Sequence, residues 1–383
     1  MTLEVQLVQL RIAPYRRPVF KALAESRGID LTVWSDLTIP GSPTPDEPLG
    51  FRIRHAPARW IGPVLWQPGS IQAVRESGTD VAILGWNTRS LDVPLALRAA
   101  GRRVGTVLWG HGFGKSSPRA GDLLRRLFSN RADACLLYGP STRRRMIDLG
   151  LEERRAFAAP NAIDQSAIVA AARDWRSRPD ELEEFRARHA IGRPSILFLS
   201  RLEPDKHPET LVEAFHEVVS TCPHATLVFI GDGSSRAEVE AVAERRGVRD
   251  RVRLGGAIFE ESDIAPWALS SDLLVHPGGI GLSLMHAFGY GLPVVTTDRM
   301  SLHGPEVEIL SPGENGLLYR HGDASDLAAK ILEIVGDEPR RERMSQSARN
   351  TVSGPTGRNI EGMVGGMLEA IDHAAAQHGK SRL

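Results

Sequence analysis

The chain has 383 residues, 42% hydrophobic and 25% charged, an ordinary balance for a globular protein of two domains. Its two cysteines, Cys135 and Cys222, exclude a disulfide framework and a cysteine metal site, and fit a reducing, cytoplasmic compartment. No run of about 18 apolar residues is present, which excludes a transmembrane helix. The opening MTLEVQLVQLRIAPYRR reads as a strand and loop, not as a signal peptide.

In chain order, residues 5–10 and 31–34 read as strands, with a helix over 17–27 between them. Apolar runs at 80–84, 104–109 and 134–138, and a weaker one at 156–159, read as further strands. Helices fall over 94–100, 121–131 and 141–149. Residues 166–193 are polar and charged and read as a connecting helix or linker. The pattern then restarts, with strands at 195–199, 226–230, 252–254, 273–276 and 293–297. Helices at 209–219, 237–246, 264–269 and 282–290 alternate with them. Residues 323–350 read as helical, and a last helix follows the Gly-Pro-Thr-Gly break at 354–357. Such alternation predicts an α/β protein with parallel sheets covered on both faces. Two similar halves predict two Rossmann-like doubly wound domains facing a central cleft, with ligand at the carboxyl ends of the strands. The predicted boundaries are 1–165, a linker over 166–193, 194–353, and a C-terminal helix over 354–383 packing back toward the first domain.

The net charge is zero but unevenly placed. Residues 1–165 carry 23 Lys+Arg against 15 Asp+Glu, a charge of +8, and the remainder carries 24 against 32, a charge of −8. The basic half reads either as solvated helix faces or as a surface drawn to anionic lipid or a phosphate-bearing acceptor.

Two motifs of the second half carry the chemistry: SILFLSRLEPDKHPETLVEAF at 195–215 and HPGGIGLSLMHAFGYGLPVVTTD at 276–298. Each reads as strand, loop, helix. The first offers Arg201 and Lys206 just past a strand end. The second offers Gly278, Gly279 and Gly281 before a helix that starts at Leu282 and Ser283. Two fixed cations and a helix N-terminus with bare N–H groups form a place to hold a diphosphate. Asp232, in a turn, and the hinge residues Asn161 and Asp164 read as structural, and no Asp-x-Asp at a strand end suggests a metal.

These residues resemble the retaining glycosyltransferases of family 4, which have the GT-B fold, in a subgroup similar to bacterial surface-polysaccharide enzymes. IAPYRRPVFKAL, WGHG, RADACLLYGPSTRRRMIDLG and PNAID carry the resemblance in the first half. SRLEPDKH, LVFIGDG, the 276–298 motif and GPEVEILSPGENGLL carry it in the second. The resemblance implies a nucleotide-diphosphate sugar donor, an acceptor hydroxyl, retention of configuration, and no cofactor or metal. It implies catalytic roles for His111, Arg201 and Lys206. Donor contacts fall to Gly279, Gly281, Leu282, Ser283, His286, Glu306, His303 and the backbone at Ile258, with Arg16 and Lys115 toward a sugar, lipid-linked or small-molecule acceptor. The chain departs from the family where two glutamates are usual: it has Gly278 and His286. The imidazole of His286 is able to bond a ribose hydroxyl; a glycine makes no side-chain contact, and His303 is the nearby candidate to offset it. The alternatives are a non-catalytic nucleotide-sugar binding protein, which the missing glutamates favour, and a nucleotide-sugar epimerase.

Overall fold

The computed structural model describes residues 1–44, 47–87, 89–111, 126–353 and 358–382. It forms two compact units. One comprises Met1–Ile163 with Ile360–Leu383, the other Asp164–Asn359.

In the first unit the apolar runs pair into a parallel sheet. Its strands are β1 (Leu3–Val8), β2 (Ile29–Ser35), β3 (Arg52–His55), β6 (Val81–Gly85), β7 (Gly105–Gly110), β8 (Ala134–Leu137) and β9 (Ala156–Ala158), in the order β3-β2-β1-β6-β7-β8-β9. A short antiparallel hairpin, β4 (Arg59–Ile61) and β5 (Val64–Trp66), stands apart from it. Strands covered on both faces are apolar nearly throughout, as in β8, where all four residues are buried. The helix Arg17–Ala24 starts with proline in its first turn and buries Val19, Phe20 and Leu23. The helix Ile360–Ala376 repeats buried residues at 363, 367, 370, 371 and 374, one face of a 3.6-residue period, and joins the core of the first unit.

In the second unit the sheet is again parallel. Its strands are β10 (Ser195–Leu199), β11 (Thr226–Ile230), β12 (Val252–Leu254), β13 (Leu273–His276), β14 (Val294–Thr297) and β15 (Gly316–Tyr319), in the order β12-β11-β10-β13-β14-β15. This is the doubly wound order that reverses direction between its first and fourth strands, here β10 and β13. The helix Pro208–Thr221 buries Leu211, Val212, Ala214, Phe215 and Val218 against the sheet.

Residues 166–193, read from the sequence as a connecting helix or linker, are largely helical. They hold the helices Gln165–Arg176 and Pro179–Arg188, which belong to the second unit. The first buries Ile168 and Ala172, and its Trp175 indole donates to the Ser262 carbonyl at 2.9 Å. Asp164 is its N-cap, accepting from the Ser166 amide at 2.9 Å. Among the described residues no helix is long and apolar enough to cross a membrane.

Candidate functional site

In the second unit the two sequence motifs leave the sheet at the carboxyl ends of β10 and β13, the neighbours between which the strand order reverses. Doubly wound sheets hold ligands at such a point. The loop after β10 carries Arg201, exposed to solvent, and Lys206, half-buried in a short 3-10 turn. Lys206 Nζ donates to the Gly279 carbonyl at 3.3 Å and pairs with Asp205 at 2.9 Å. Burial pushes the Asp205 carboxyl up, but the hydrogen bond and charge of Lys206, with the charge of Arg201, bring it below the ordinary value. The two cations therefore act on one small region.

The loop after β13 is pressed against this basic loop. The Gly278 amide donates to the Lys206 carbonyl at 3.0 Å. A Cβ at position 278 would lie 2.4 Å from the Asp205 carbonyl oxygen and 2.7 Å from Lys206 Cα. No side chain fits there. The absence of a glutamate at 278 is thus tied to the close approach of two backbones. Gly279 is packed as tightly, since its Cβ would overlap the Leu302 carbonyl oxygen at 2.0 Å. Gly281 is the open one. Beyond it Leu282 caps the helix Ser283–Tyr290 by backbone alone, with no side-chain cap. The N–H groups at 281–283, at and just before the helix start, lie at the positive end of the helix dipole.

A set of buried polar groups holds the glycine loop in place. His276 lies under it, fully buried, stacked on Phe198 at 5.3 Å and with Nδ1 3.2 Å from the Gly278 carbonyl. Burial, reinforced by the charge of Lys206, lowers its pKa to about 4. It is therefore neutral and donates to that carbonyl. Thr296 Oγ1 donates to the His276 carbonyl at 2.8 Å, and the Tyr319 hydroxyl to the Pro277 carbonyl at 2.8 Å.

His303 belongs to this brace. Its Nδ1 accepts from the Ile280 amide at 3.1 Å, and its Nε2 donates to the Thr297 carbonyl at 2.9 Å. Both ring nitrogens serve the backbone and the residue is buried. The expected stand-in for the glutamate missing at 278 is instead a support for the loop. Glu306 is also buried, at the start of the turn Pro305–Ile309. Its Oε2 lies 3.7 Å from where a Cβ on Gly281 would sit, against the open part of the glycine loop.

His286 projects one turn along the helix from Ser283. Its Nε2 donates to Glu261 Oε1 at 2.6 Å, and the Tyr290 hydroxyl donates to Glu261 Oε2 at 2.7 Å. Burial and the neighbouring Glu261 raise the Tyr290 phenol well above its ordinary value, so it remains a donor. Glu261 opens the helix Glu261–Leu269, just past the loop that carries the half-buried Ile258. Sequence reasoning missed Glu261, Tyr290 and His276. Histidine and glutamate are 25 positions apart, on different helices, and no local spacing signals the pair.

In the first unit, Arg16 is 6% exposed. Its guanidinium lies over the rings of Trp109 at 4.6 Å, Tyr15 at 5.1 Å and Tyr138 at 5.2 Å, and donates to Asn161 Oδ1 at 2.7 Å. The residue expected to meet an acceptor is enclosed by aromatic faces, which offset the burial of its charge. Asn161, read from the sequence as structural, makes this bond within the first unit. His111 is exposed at the end of β7, its ring 4.6 Å from Tyr138. Arg16 and His111 therefore share one aromatic neighbour. Lys115 lies outside the described residues. Asp232 accepts from the adjacent Gly233 amide at 2.8 Å, a turn contact. Among the described residues no cluster of three or more His, Cys, Asp or Glu side chains forms a metal site.

The strand order and the two loops at its reversal point define a doubly wound α/β unit. Residues 181–351 match the family described as glycosyl transferases group 1. They make up most of the second unit. The lipopolysaccharide core biosynthesis glycosyltransferase LpsE of Rhizobium meliloti is 28% identical over 240 residues, covering 62% of this chain and 64% of that protein. The chain thus spans just under two thirds of that relative. A GDP-mannose-dependent phosphatidylinositol monomannoside mannosyltransferase of Mycolicibacterium smegmatis is 26% identical over 67% of each chain. In fold, the chain matches Anabaena HepE, solved with UDP, at a TM-score of 0.71 and 17% identity, over 96% of this chain and 99% of that one. A glycosyltransferase of Rickettsia africae matches at 0.73 and 15% identity, over 97% and 98%. The fold is that of these GT-B glycosyltransferases.

Proposed function

We propose that the protein moves a sugar from a nucleoside diphosphate donor to an acceptor hydroxyl, with retention of configuration and without an obligatory metal ion. The observation that carries this reading is the convergence of Arg201, Lys206 and the uncapped helix start at 281–283 at the ends of β10 and β13. When the bond between the anomeric carbon and the diphosphate oxygen breaks, negative charge develops on the leaving group. Arg201 is suited to grip it through two parallel N–H bonds, Lys206 adds a point charge, and the helix start adds backbone donors. These groups do what a divalent cation would otherwise do. The acceptor oxygen attacks from the face the diphosphate leaves, and its proton passes to the departing phosphate oxygen.

Among the relatives, one is named as GDP-mannose-dependent and HepE is solved with UDP-glucose. The test is therefore release of nucleoside diphosphate from a panel of UDP- and GDP-sugars, with and without EDTA. Release from one donor, unchanged by EDTA and with an α-linked product from an α-linked donor by NMR, supports the reading. Release that needs added Mg2+ or Mn2+, or an inverted product, overturns the corresponding part. Tight donor binding with no turnover and no hydrolysis would move the assignment to a nucleotide-sugar binding protein.

A further inference from the structure

We propose that the Glu261 carboxylate, held by His286 and Tyr290, accepts hydrogen bonds from the vicinal hydroxyls of the donor's ribose. The inference rests on the nucleotide-sugar reading and adds a residue to it. Glu261 is the first residue of its helix, at the carboxyl side of β12. His286 lies three residues beyond Ser283, about 5 Å along the helix from the N–H groups that face the diphosphate. The carboxylate therefore stands between the diphosphate end of the site and the loop at 255–260. A nucleoside places its ribose next to its phosphates and before its base.

The chemistry of the group fits that position. A carboxylate has about four acceptor sites. Two are taken, by His286 Nε2 at 2.6 Å and the Tyr290 hydroxyl at 2.7 Å. Both bonds fix the carboxylate in place, and the side chain keeps 20% of its surface open. The carboxylate is an acceptor-only group with unused lone pairs, and two adjacent hydroxyls are the matching donors. In doubly wound folds an acidic side chain near the phosphate-binding turn commonly takes a ribose hydroxyl. His286 is then a positioning residue: it acts through Glu261 instead of touching the sugar.

The test is calorimetric binding of UDP and GDP against their 2′-deoxy counterparts, with inorganic pyrophosphate as a ligand that has no ribose. Wild-type protein should prefer the ribose form by about ten- to a hundredfold, the worth of a hydrogen bond to a charged group. Glu261→Gln should reduce that preference to about threefold or less, with pyrophosphate affinity unchanged. His286→Ala should reduce it in part, and His286→Gln, which keeps a donor near Nε2, should restore it. A Glu261→Gln variant that keeps the full preference overturns the proposal while leaving the nucleotide reading intact. A preference lost together with pyrophosphate affinity also overturns it, because the residue would then be structural. Failure of wild-type protein to bind either nucleotide removes the nucleotide reading itself, and this inference with it.

Discussion

The two units wind their sheets alike and treat their cations in opposite ways. In the second, Arg201 is left in water and Lys206 half in water, beside a glycine loop held by buried neutral groups. In the first, Arg16 is taken out of water and wrapped in three aromatic rings with an amide oxygen as its partner. A cation that is to meet a ligand must keep donors free and avoid a large desolvation penalty before the ligand arrives. A cation already enclosed spends some of its donors on its own surroundings, as Arg16 does on Asn161. The two arginines, both read from the sequence as ligand contacts, thus differ in what is left open: Arg201 is exposed, and Arg16 is enclosed by its own unit.

Breaking the contact between the two loops of the second unit should have the largest effect. Gly278→Glu restores a residue type expected from the resemblance, but its Cβ collides with the backbone at 205–206. Nucleoside diphosphate binding should fall more than about a hundredfold, because displacement of the Lys206 turn removes more than one contact. Affinity equal to wild type would mean that the loop moves freely. Arg201→Ala should cost about two orders of magnitude in turnover with little change in Tm, since the side chain is exposed. Arg16→Ala should show the reverse pattern. It should lower stability by about 2–3 kcal/mol, as expected for a buried side chain that carries several packing and cation–π contacts. Nucleotide affinity should stay unchanged. If Arg16→Ala instead lost nucleotide binding at full stability, the contrast between the units would fail.

A further effect is a pH dependence. His276 has a folded pKa of about 4 against an ordinary 6.5. The unfolded chain therefore binds a proton between those values that the folded chain does not. The stabilisation is fully present above pH 6.5 and is lost as pH falls toward 4, by at most about 1.4 kcal/mol per pH unit. His276→Asn keeps a donor to the Gly278 carbonyl and should flatten that part of the stability curve in denaturant titrations at a series of pH values. An unchanged slope would assign the acid sensitivity to other groups.

Much of the fold was legible because parallel strands buried on both faces leave unbroken apolar runs. SILFL, TLVFI and LLVH in the second unit and GTVLWG and ACLL in the first stand out in this way. What escaped was the polar edge. The strand Arg52–His55 has one apolar residue among four, and the hairpin Arg59–Trp66 has its first strand fully exposed, so neither shows the pattern of a buried strand. The helices over 165–188 were missed as part of the second unit because their buried faces are narrow: Ile168 and Ala172 in one, Arg186 in the other. The position of Arg201, Lys206 and the glycines just past strand ends was legible from the apolar runs before them. The roles of His303 and His286 were not. Each depends on a partner from another segment, the backbone at 280 and 297 for one and Glu261 for the other. Hydrogen bonds between distant segments leave no mark in local spacing.

The proposed diphosphate site at the ends of β10 and β13 is one that needs no metal ion. Calorimetric titration of UDP and GDP into the wild-type protein and Arg201→Ala, with EDTA present throughout, tests it most directly. The account predicts saturable binding of one nucleotide to the wild-type protein in EDTA and binding at least about tenfold weaker in Arg201→Ala. No binding of either nucleotide to the wild-type protein at millimolar concentration, or equal binding to both proteins, would contradict it.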